Sequence, residues 1–298
     1  MRIGLSTGYF EAYWGPWFQE GKQLGGSERI VVELAAALAK QGHEVTVRLP
    51  YRVEPFRHRD VAWVGRDHPL LHFQLSYLFD QFGERDRSER TALVACRSDQ
   101  PPHKDFDVRI YLSKHHAALM GDKDAPAVGG GVDVSDYSRS LPRLPRRVIC
   151  SSSPDRCAAA AAIGRAFDFV HTYKPVPGYR TVELPRDQLI EAQLTAQVLI
   201  YPYDPTRESD FFSMAVLEAM AAGTPVVMAD GASHVELWAD AAIVLPRPIR
   251  LAQWHMQVEE LLSNKDLWQR YSDLGRLKAS EYTWDKQAAR YLQYAMEA

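Results

Sequence analysis

The stretch "SERIVVELAAALAKQGHEVTVRL" (27–49) carries two periodicities in succession. Over 27–42 the apolar residues Ile30, Val31, Leu34, Ala35 and Leu38 recur at helical spacing, behind Ser27 as the expected N-cap. Over 43–49 the chain reads as a strand. Upstream, "RIGLS" (2–6) reads as another strand. The chain therefore opens on a βαβ unit, whose right-handed crossover lays the apolar helix face on a sheet.

The alternation continues outward from there. "DVAWVG" (60–65), "TALVAC" (91–96) and "DVRIYLS" (107–113) are expected strands, and "PLLHFQLSYLFDQF" (69–82) an expected helix. Glycines, prolines and charges in "GGGVDVSDYSRSLPRLPRR" (129–147) break the pattern and read as a linker. Beyond it, "RVICSS" (147–152), "FDFVHTY" (167–173), "VLIYPY" (198–203), "PVVMAD" (225–230) and "AAIVLP" (241–246) are further strands with helical stretches between them. From Leu251 onward three helical patterns follow, broken near "SNKD" and "EYTW", with Trp254, Leu261, Leu262, Trp268 and Tyr271 as expected packing residues. The expected fold class is α/β, with two Rossmann-like domains at 1–138 and 139–298. The last helix is a candidate to pack back on the first domain.

Composition sets the class. The 298 residues are 46% hydrophobic and 24% charged, which suits a globular protein of about two domains. A formal net charge of −3 offers no global basic field for nucleic acid or an anionic membrane. Cys96, Cys150 and Cys157 are an odd number without metal-type spacing, which favours a reducing, cytoplasmic setting. The start "MRIGLSTGYF" lacks the apolar core of a secretory signal, and no run approaches a membrane span. Peripheral membrane contact stays open.

In open α/β domains ligands bind outside the carboxyl ends of the strands, and two such domains facing each other form a cleft. Two loops qualify first. In "LGGSER" (24–29), Gly25 and Gly26 let backbone approach a ligand, and the helix behind them offers free N–H groups to a phosphate, or they are simply a flexible helix start. In "SDFFSMAVLEAMAAGTPVV" (209–227), Ser213, Met214, Ala215 and Val216 form an expected first helical turn, with Asp210 before it and Glu218 one turn in. Carboxylates there suit sugar or ribose diols, though a solvated acid on a helix edge reads equally well. Gly223 stops that helix and Pro225 opens the next strand.

Taken in order, these pieces resemble a known family. "GGSERIVVELAAALAKQGHEVTV" is similar to the first βαβ unit of the retaining nucleotide-sugar glycosyltransferases of family 4, and "DFFSMAVLEAMAAGTPVV" to their E-x(7)-E region. "GGGVDVSDY" (129–137), "VELPRDQLIEAQLTAQVLIYPY" (182–203) and "EYTWDKQAARYL" (281–292) resemble their interdomain stretch, the helix and strand before the acidic motif, and the C-terminal helix. The resemblance implies a GT-B fold, with a nucleoside diphosphate sugar of UDP or GDP type held mainly by the second domain.

Its functional residues carry over by position. Gly25 and Gly26 would lie near the diphosphate and the sugar, Asp210 would contact the sugar, Ser213 to Val216 would contact sugar and phosphate, and Glu218 would hold the ribose. "SSSPDRC" (151–157) resembles the opening motif of the second domain, so Arg156 would neutralise the leaving diphosphate, with Ser152 and Ser153 beside it. In "HTYKP" (171–175), Tyr173 would stack on the base, and Lys174 or His171 would reach phosphate or base edges. The aromatic loop 9–23, with Tyr13, Trp14 and Trp17, is the expected acceptor contact or a lid over the cleft.

The chain also departs from the pattern. Asp210 stands where the family has a glutamate, one methylene longer. "CRSDQPP" (96–102) has Ser98 where many relatives have a histidine and keeps Asp99, with Arg97 and His103 as neighbours. His115 and His116 read as surface residues. The implied reaction is transfer to a hydroxyl of a glycan, a lipid-linked glycan or a small molecule, with retention of anomeric configuration. The leaving phosphate would take the proton, and no metal or other cofactor is required. A non-catalytic nucleotide-sugar binding protein and a GT-B epimerase or hydrolase remain as alternatives.

Overall fold

The computed structural model describes residues 1–7, 24–79, 86–96, 106–173, 175–204 and 210–297. They divide into two compact units, which are taken in turn. The first comprises β1 (Arg2–Thr7), the segment Leu24–Gly131 and a last helix, α9 (Trp284–Glu297).

In the first unit α1 (Gly26–Lys40) connects β1 to β2 (Glu44–Arg48). β4 (Val61–Val64), β6 (Leu75–Phe79), β8 (Thr91–Ala95) and β9 (Val108–Tyr111) follow, with β3 (Phe56–His58) as an edge strand, while β5 (His72–Phe73) and β7 (Arg87–Ser88) pair separately. The sheet order is β3-β4-β2-β1-β6-β8-β9. All neighbours are parallel except β3 and β4. The order doubles back at β1, as in doubly wound dinucleotide-binding sheets. Ile30, Val31, Leu34, Ala35 and Leu38 of α1 are all buried, so the expected helix face is the observed one. α9 is tied to this unit by Lys40 Nζ, 2.8 Å from Asp285, and by Tyr291, whose hydroxyl donates to the Val128 carbonyl at 2.8 Å.

Three expectations need correction in this unit. Residues 69–79 of the expected helix 69–82 are not helical: they hold β5 (His72–Phe73) and β6, and 80–82 lie outside the described residues. All five residues of β6 are buried. A strand enclosed on both faces loses the polar alternation that separates strand from helix periodicity. α1 is capped by Gly25 rather than Ser27, because Glu28, three residues on, accepts a hydrogen bond from the Gly25 N–H and completes half of a capping box. A Cβ at position 25 would stand 2.7 Å from that carboxylate. His116 is buried rather than on the surface: it sits in α2 (Lys114–Leu119), edge-on to Tyr111 with ring centroids 5.2 Å apart.

The second unit covers Val132–Thr283. It contains β10 (Arg147–Cys150), α3 (Ala160–Gly164), β11 (Asp168–His171), α4 (Arg186–Thr195), β12 (Val198–Tyr201), α5 (Met214–Ala221), β13 (Val226–Ala229), α6 (Ala232–Trp238), β14 (Ile243–Leu245), α7 (Leu251–Ser263) and α8 (Lys265–Glu281). Its five strands are all parallel, in the order β11-β10-β12-β13-β14. Ile149 of β10 pairs with Val170 on one side and Leu199 on the other. The winding direction therefore reverses at β10, and in open sheets of this kind ligands bind outside the strands' carboxyl ends at such a switch point. Trp254 and Leu261 are buried as expected, whereas Leu262, Trp268 and Tyr271 are half-buried.

One arginine fixes α5 in this unit. Arg143 donates to the carbonyls of Gln193, Ala196, Ala222 and Gly223 and to Thr224 Oγ1, at 2.6 to 3.1 Å, and lies over the Trp268 ring. It thus ties the carboxyl ends of α4 and α5 together. Gly223, with φ of +66°, makes the left-handed turn that frees α5's last carbonyls for this clamp. Arg143→Met keeps the stem and strands these acceptors, so a loss of about 3 kcal/mol is expected in urea unfolding, the order seen when several buried acceptors lose their donor.

Candidate functional site

Four strand ends of the second unit contribute to one cluster. After β10, the loop carrying Ser152, Ser153 and Arg156 is anchored from β11: His171 Nε2 lies 2.8 Å from the Ser152 carbonyl, and the Ser151 and Thr172 hydroxyls are 2.7 Å apart. Ser152 is buried and its hydroxyl donates to Tyr201 Oη at 3.4 Å, while Ser153 bonds Asp155. The Arg156 carbonyl accepts from Asp204 N–H at 2.9 Å, which joins this loop to the one after β12.

Past β12 a buried carboxylate comes within electrostatic reach of that arginine. Asp210 is only 7% exposed. Its Oδ2 accepts from the Tyr201 hydroxyl, its N–H donates to the Tyr203 hydroxyl at 2.9 Å, and His234 Nε2 approaches Oδ2 at 3.6 Å, an ion-pair distance rather than a hydrogen bond. Burial pushes the Asp210 carboxyl up, but His234, Arg156 and Tyr201 outweigh it and hold the group below its ordinary value. Burial likewise pulls Arg156 down, and Asp210 with the phenols of Tyr201, Tyr173 and Tyr203 outweighs it, so the guanidinium is held above its ordinary value. Arg156 and Asp210 thus act on each other electrostatically, and Tyr201 and Tyr203, which both bond Asp210, stack with centroids 6.2 Å apart at 7°.

Residues past Asp210 build the helix. Ser213 is the N-cap of α5, its hydroxyl accepting from Val216 N–H at 3.4 Å. Met214 and Ala215 then begin a helix whose first N–H groups have no partner four residues back. Glu218, 4% exposed, accepts from Arg186 Nη1 at 2.9 Å through Oε1 and from Gln193 Nε2 at 3.2 Å through Oε2. Arg186 also donates to the Tyr137 hydroxyl at 3.2 Å and lies 3.6 Å from Asp136. Both Glu218 oxygens thus serve the protein, and a ligand diol would have to use their remaining lone pairs.

The structure thus brings Ser152, Arg156, Tyr173 and Asp210 together, with Ser213 to Val216 and Glu218 continuing on α5. Tyr173 follows β11 as an irregular residue whose N–H donates to the Val182 carbonyl at 3.1 Å. Gly25 and Gly26 belong to the first unit, exposed at the start of α1. Tyr13, Trp14, Trp17, Asp99 and Lys174 lie outside the described residues, as do Arg97, Ser98 and His103. The sequence reading missed Tyr201, Tyr203, His234, Arg186 and Gln193. Only the aromatic spacing of "VLIYPY" at a strand end carried any signal. Among the described residues no three His, Cys, Asp or Glu side chains are grouped to hold a metal ion, and no helix is long and apolar enough to cross a membrane.

Comparison with known proteins finds a family model over part of the sequence and solved structures of the same fold. Residues 181–278, from just before α4 through most of α8, match the family model described as Glycosyl transferases group 1. No curated protein matches the chain in sequence. Among solved structures, sucrose-phosphate synthase from Thermosynechococcus elongatus superposes with a TM-score of 0.72 at 13% identity, covering 98% of this chain and 97% of that one. AviGT4, a glycosyltransferase involved in avilamycin A biosynthesis, gives 0.72 at 15%, covering 99% and 96%. The catalytic domain of starch synthase IV from Arabidopsis thaliana, bound to ADP and acarbose, gives 0.70 at 9%, covering 99% and 98%. The fold is that of GT-B glycosyltransferases, with Rossmann-like parallel sheets and C-terminal helices.

Asp210 sets a pH dependence. A carboxyl held below its unfolded value stabilises the fold above that value and loses this contribution as pH falls through the folded one. The window lies below the ordinary aspartate value of 3.8. Thermal melts taken from pH 6 downward are expected to show a shallower acid limb in Asp210→Asn than in the wild type.

Proposed function

We propose that the protein is a retaining glycosyltransferase that moves a sugar from a nucleoside diphosphate sugar, of UDP or GDP type, to the hydroxyl of a glycan, a lipid-linked glycan or a small-molecule acceptor. The observation that carries this is the half-buried Arg156 guanidinium within electrostatic reach of the buried Asp210 carboxylate, at the point where the second sheet reverses its winding. A fixed cation there meets charge as it develops on a leaving phosphate, and a fixed anion beside it accepts from hydroxyls and offsets positive charge on a sugar ring. The group 1 match over the acidic segment and the ADP held by the starch synthase relative support the same reading.

In this reading the glycosidic bond to the β-phosphate oxygen breaks as Arg156 and the first N–H groups of α5 stabilise the diphosphate. Ser152 and Ser153 line the phosphate path, Tyr173 stacks on the base with Lys174 nearby, and Glu218 holds the ribose. Asp210 contacts the sugar. Asp99, Gly25 and Gly26 serve the reacting end, and Tyr13, Trp14 and Trp17 the acceptor. The acceptor hydroxyl attacks the anomeric carbon on the face the diphosphate leaves, and its proton passes to the departing phosphate oxygen. Retention rests on the family resemblance, and in this reading no metal is needed for it. Three buried free thiols fit a reducing compartment, so we place the protein in the cytoplasm.

Two outcomes test the assignment. Arg156→Met is expected to lower kcat by roughly 100-fold or more, the scale for removing one preorganised donor to a developing anion, as read by nucleotide release. Unchanged turnover would sink the role. With UDP, GDP or ADP at about 100 times the dissociation constant, the wild type gains about 2.7 kcal/mol and its melting midpoint rises by several degrees. Glu218→Gln keeps the side-chain shape yet weakens the acceptor, so its midpoint is expected to rise much less at the same nucleotide concentration.

A further inference from the structure

The family resemblance puts a longer acid where this chain has Asp210, and the structure shows how the shorter side chain is held. Both side-chain partners of Asp210 among the described residues, Tyr201 and His234, meet the same oxygen, Oδ2. His234 comes from a different strand end: it is the third residue of α6, after β13 and the N-cap Gly231. The imidazole is 1% exposed, and among the described residues neither ring nitrogen has a hydrogen-bond partner.

A buried imidazole with two unpartnered nitrogens is a poor structural choice, since an apolar side chain of similar volume fills such a space without stranding polar atoms. The ring is nevertheless held firmly. It stands edge-on to Tyr201 and Tyr203, with centroids 5.4 and 4.8 Å away, and a Cβ on Gly231 would come within 3.3 Å of Nδ1. These neighbours leave Nε2 aimed at Asp210 from 3.6 Å, one small side-chain adjustment from a hydrogen bond. Contacts of this kind are often long in a ligand-free site and tighten when substrate is bound.

We propose that His234 is a positioning residue. By engaging Oδ2 together with Tyr201, it orients the Asp210 carboxylate so that the other oxygen is left for a hydroxyl of the nucleotide-linked sugar. The inference rests on the nucleotide-sugar reading of this site. It assigns specificity for the sugar, as distinct from the nucleotide, to an imidazole that does not itself touch the ligand.

The test measures dissociation constants of the full chain by calorimetry for UDP, GDP and ADP, and for UDP-glucose, GDP-mannose and ADP-glucose. Wild type, His234→Leu and His234→Gln are compared, and melting midpoints confirm that each variant is folded. His234→Leu is expected to leave affinity for the bare nucleotide within about twofold. It should shift the ratio of nucleotide-sugar to nucleotide affinity about 10-fold against the sugar, the order expected for a hydrogen bond to a charged group. His234→Gln, which keeps an N–H within reach of Oδ2, is expected to restore most of that ratio. In an Asp210→Asn background, His234→Leu should have no further effect. An unchanged ratio in His234→Leu, or an equal loss of nucleotide and nucleotide sugar, overturns the positioning role. A wild type that binds none of the three nucleotides overturns the donor-site reading itself, and this proposal with it.

Discussion

A parallel sheet that reverses its winding cannot close over its own carboxyl edge, and that constraint organises the second unit. With β11 on one side of β10 and β12 on the other, the loops leaving β10 and β12 diverge. The carboxyl edge there has to be lined by side chains that tolerate both the low dielectric of the sheet below and an approaching polar ligand. Ser152 and Arg156 come from one side of it, Tyr201 and Tyr203 from the other, and the Asp204 to Arg156 backbone bond stitches the two loops together. Fully buried strands beneath, such as β12 and β13, make a rigid floor. Arg143 performs the matching task at the far end, fixing the carboxyl end of α5 so that its amino end is held at that edge.

Most of the scaffold was legible because its punctuation is strong. Each strand of the second unit is bounded by helix-stop or turn residues, and α5 ends at a glycine whose left-handed φ is the reason for its presence. The exceptions have physical causes. β6 is enclosed on both faces, so "LSYLF" lacks the alternation that marks a half-exposed strand, and its apolar run passed for a helix face. Ser27 and Gly25 are both acceptable caps, and the choice between them is made by Glu28 reaching back three residues, a tertiary detail of one turn. His116 looked like a surface residue because its burial depends on Tyr111, which lies on the preceding strand.

The site divides along a similar line. Arg156, Asp210, Ser213 and Glu218 could be picked out because each lies in a short segment whose order resembles a family pattern. Their partners could not. Tyr201, His234 and Arg186 sit on β12, α6 and α4, and only the strand order brings the first two to Asp210 and the packing of α4 on α5 brings the third to Glu218. Periodicity reports which face of an element is buried, and it carries no information about which charge meets which across elements.

Those partners explain why two acids stand eight positions apart around the start of α5. At 3.6 residues per turn, eight positions do not return to the same face of a helix, and Asp210 precedes the helix altogether. The two carboxylates therefore face different neighbours. An unpaired carboxylate buried as deeply as either of these would cost several kcal/mol and would protonate instead. Asp210 stays ionised because Arg156 comes from β10's loop and His234 from the start of α6, and Glu218 is met by Arg186 and Gln193 from α4. Each acid meets its partners only if a separate element is docked correctly. The amino end of α5 thus brings two buried carboxylates near the first N–H groups of a helix, which find no intrahelical carbonyl, only in the assembled unit. That mixture of acceptors for hydroxyls and donors for phosphate oxygens is what a ligand carrying both groups requires.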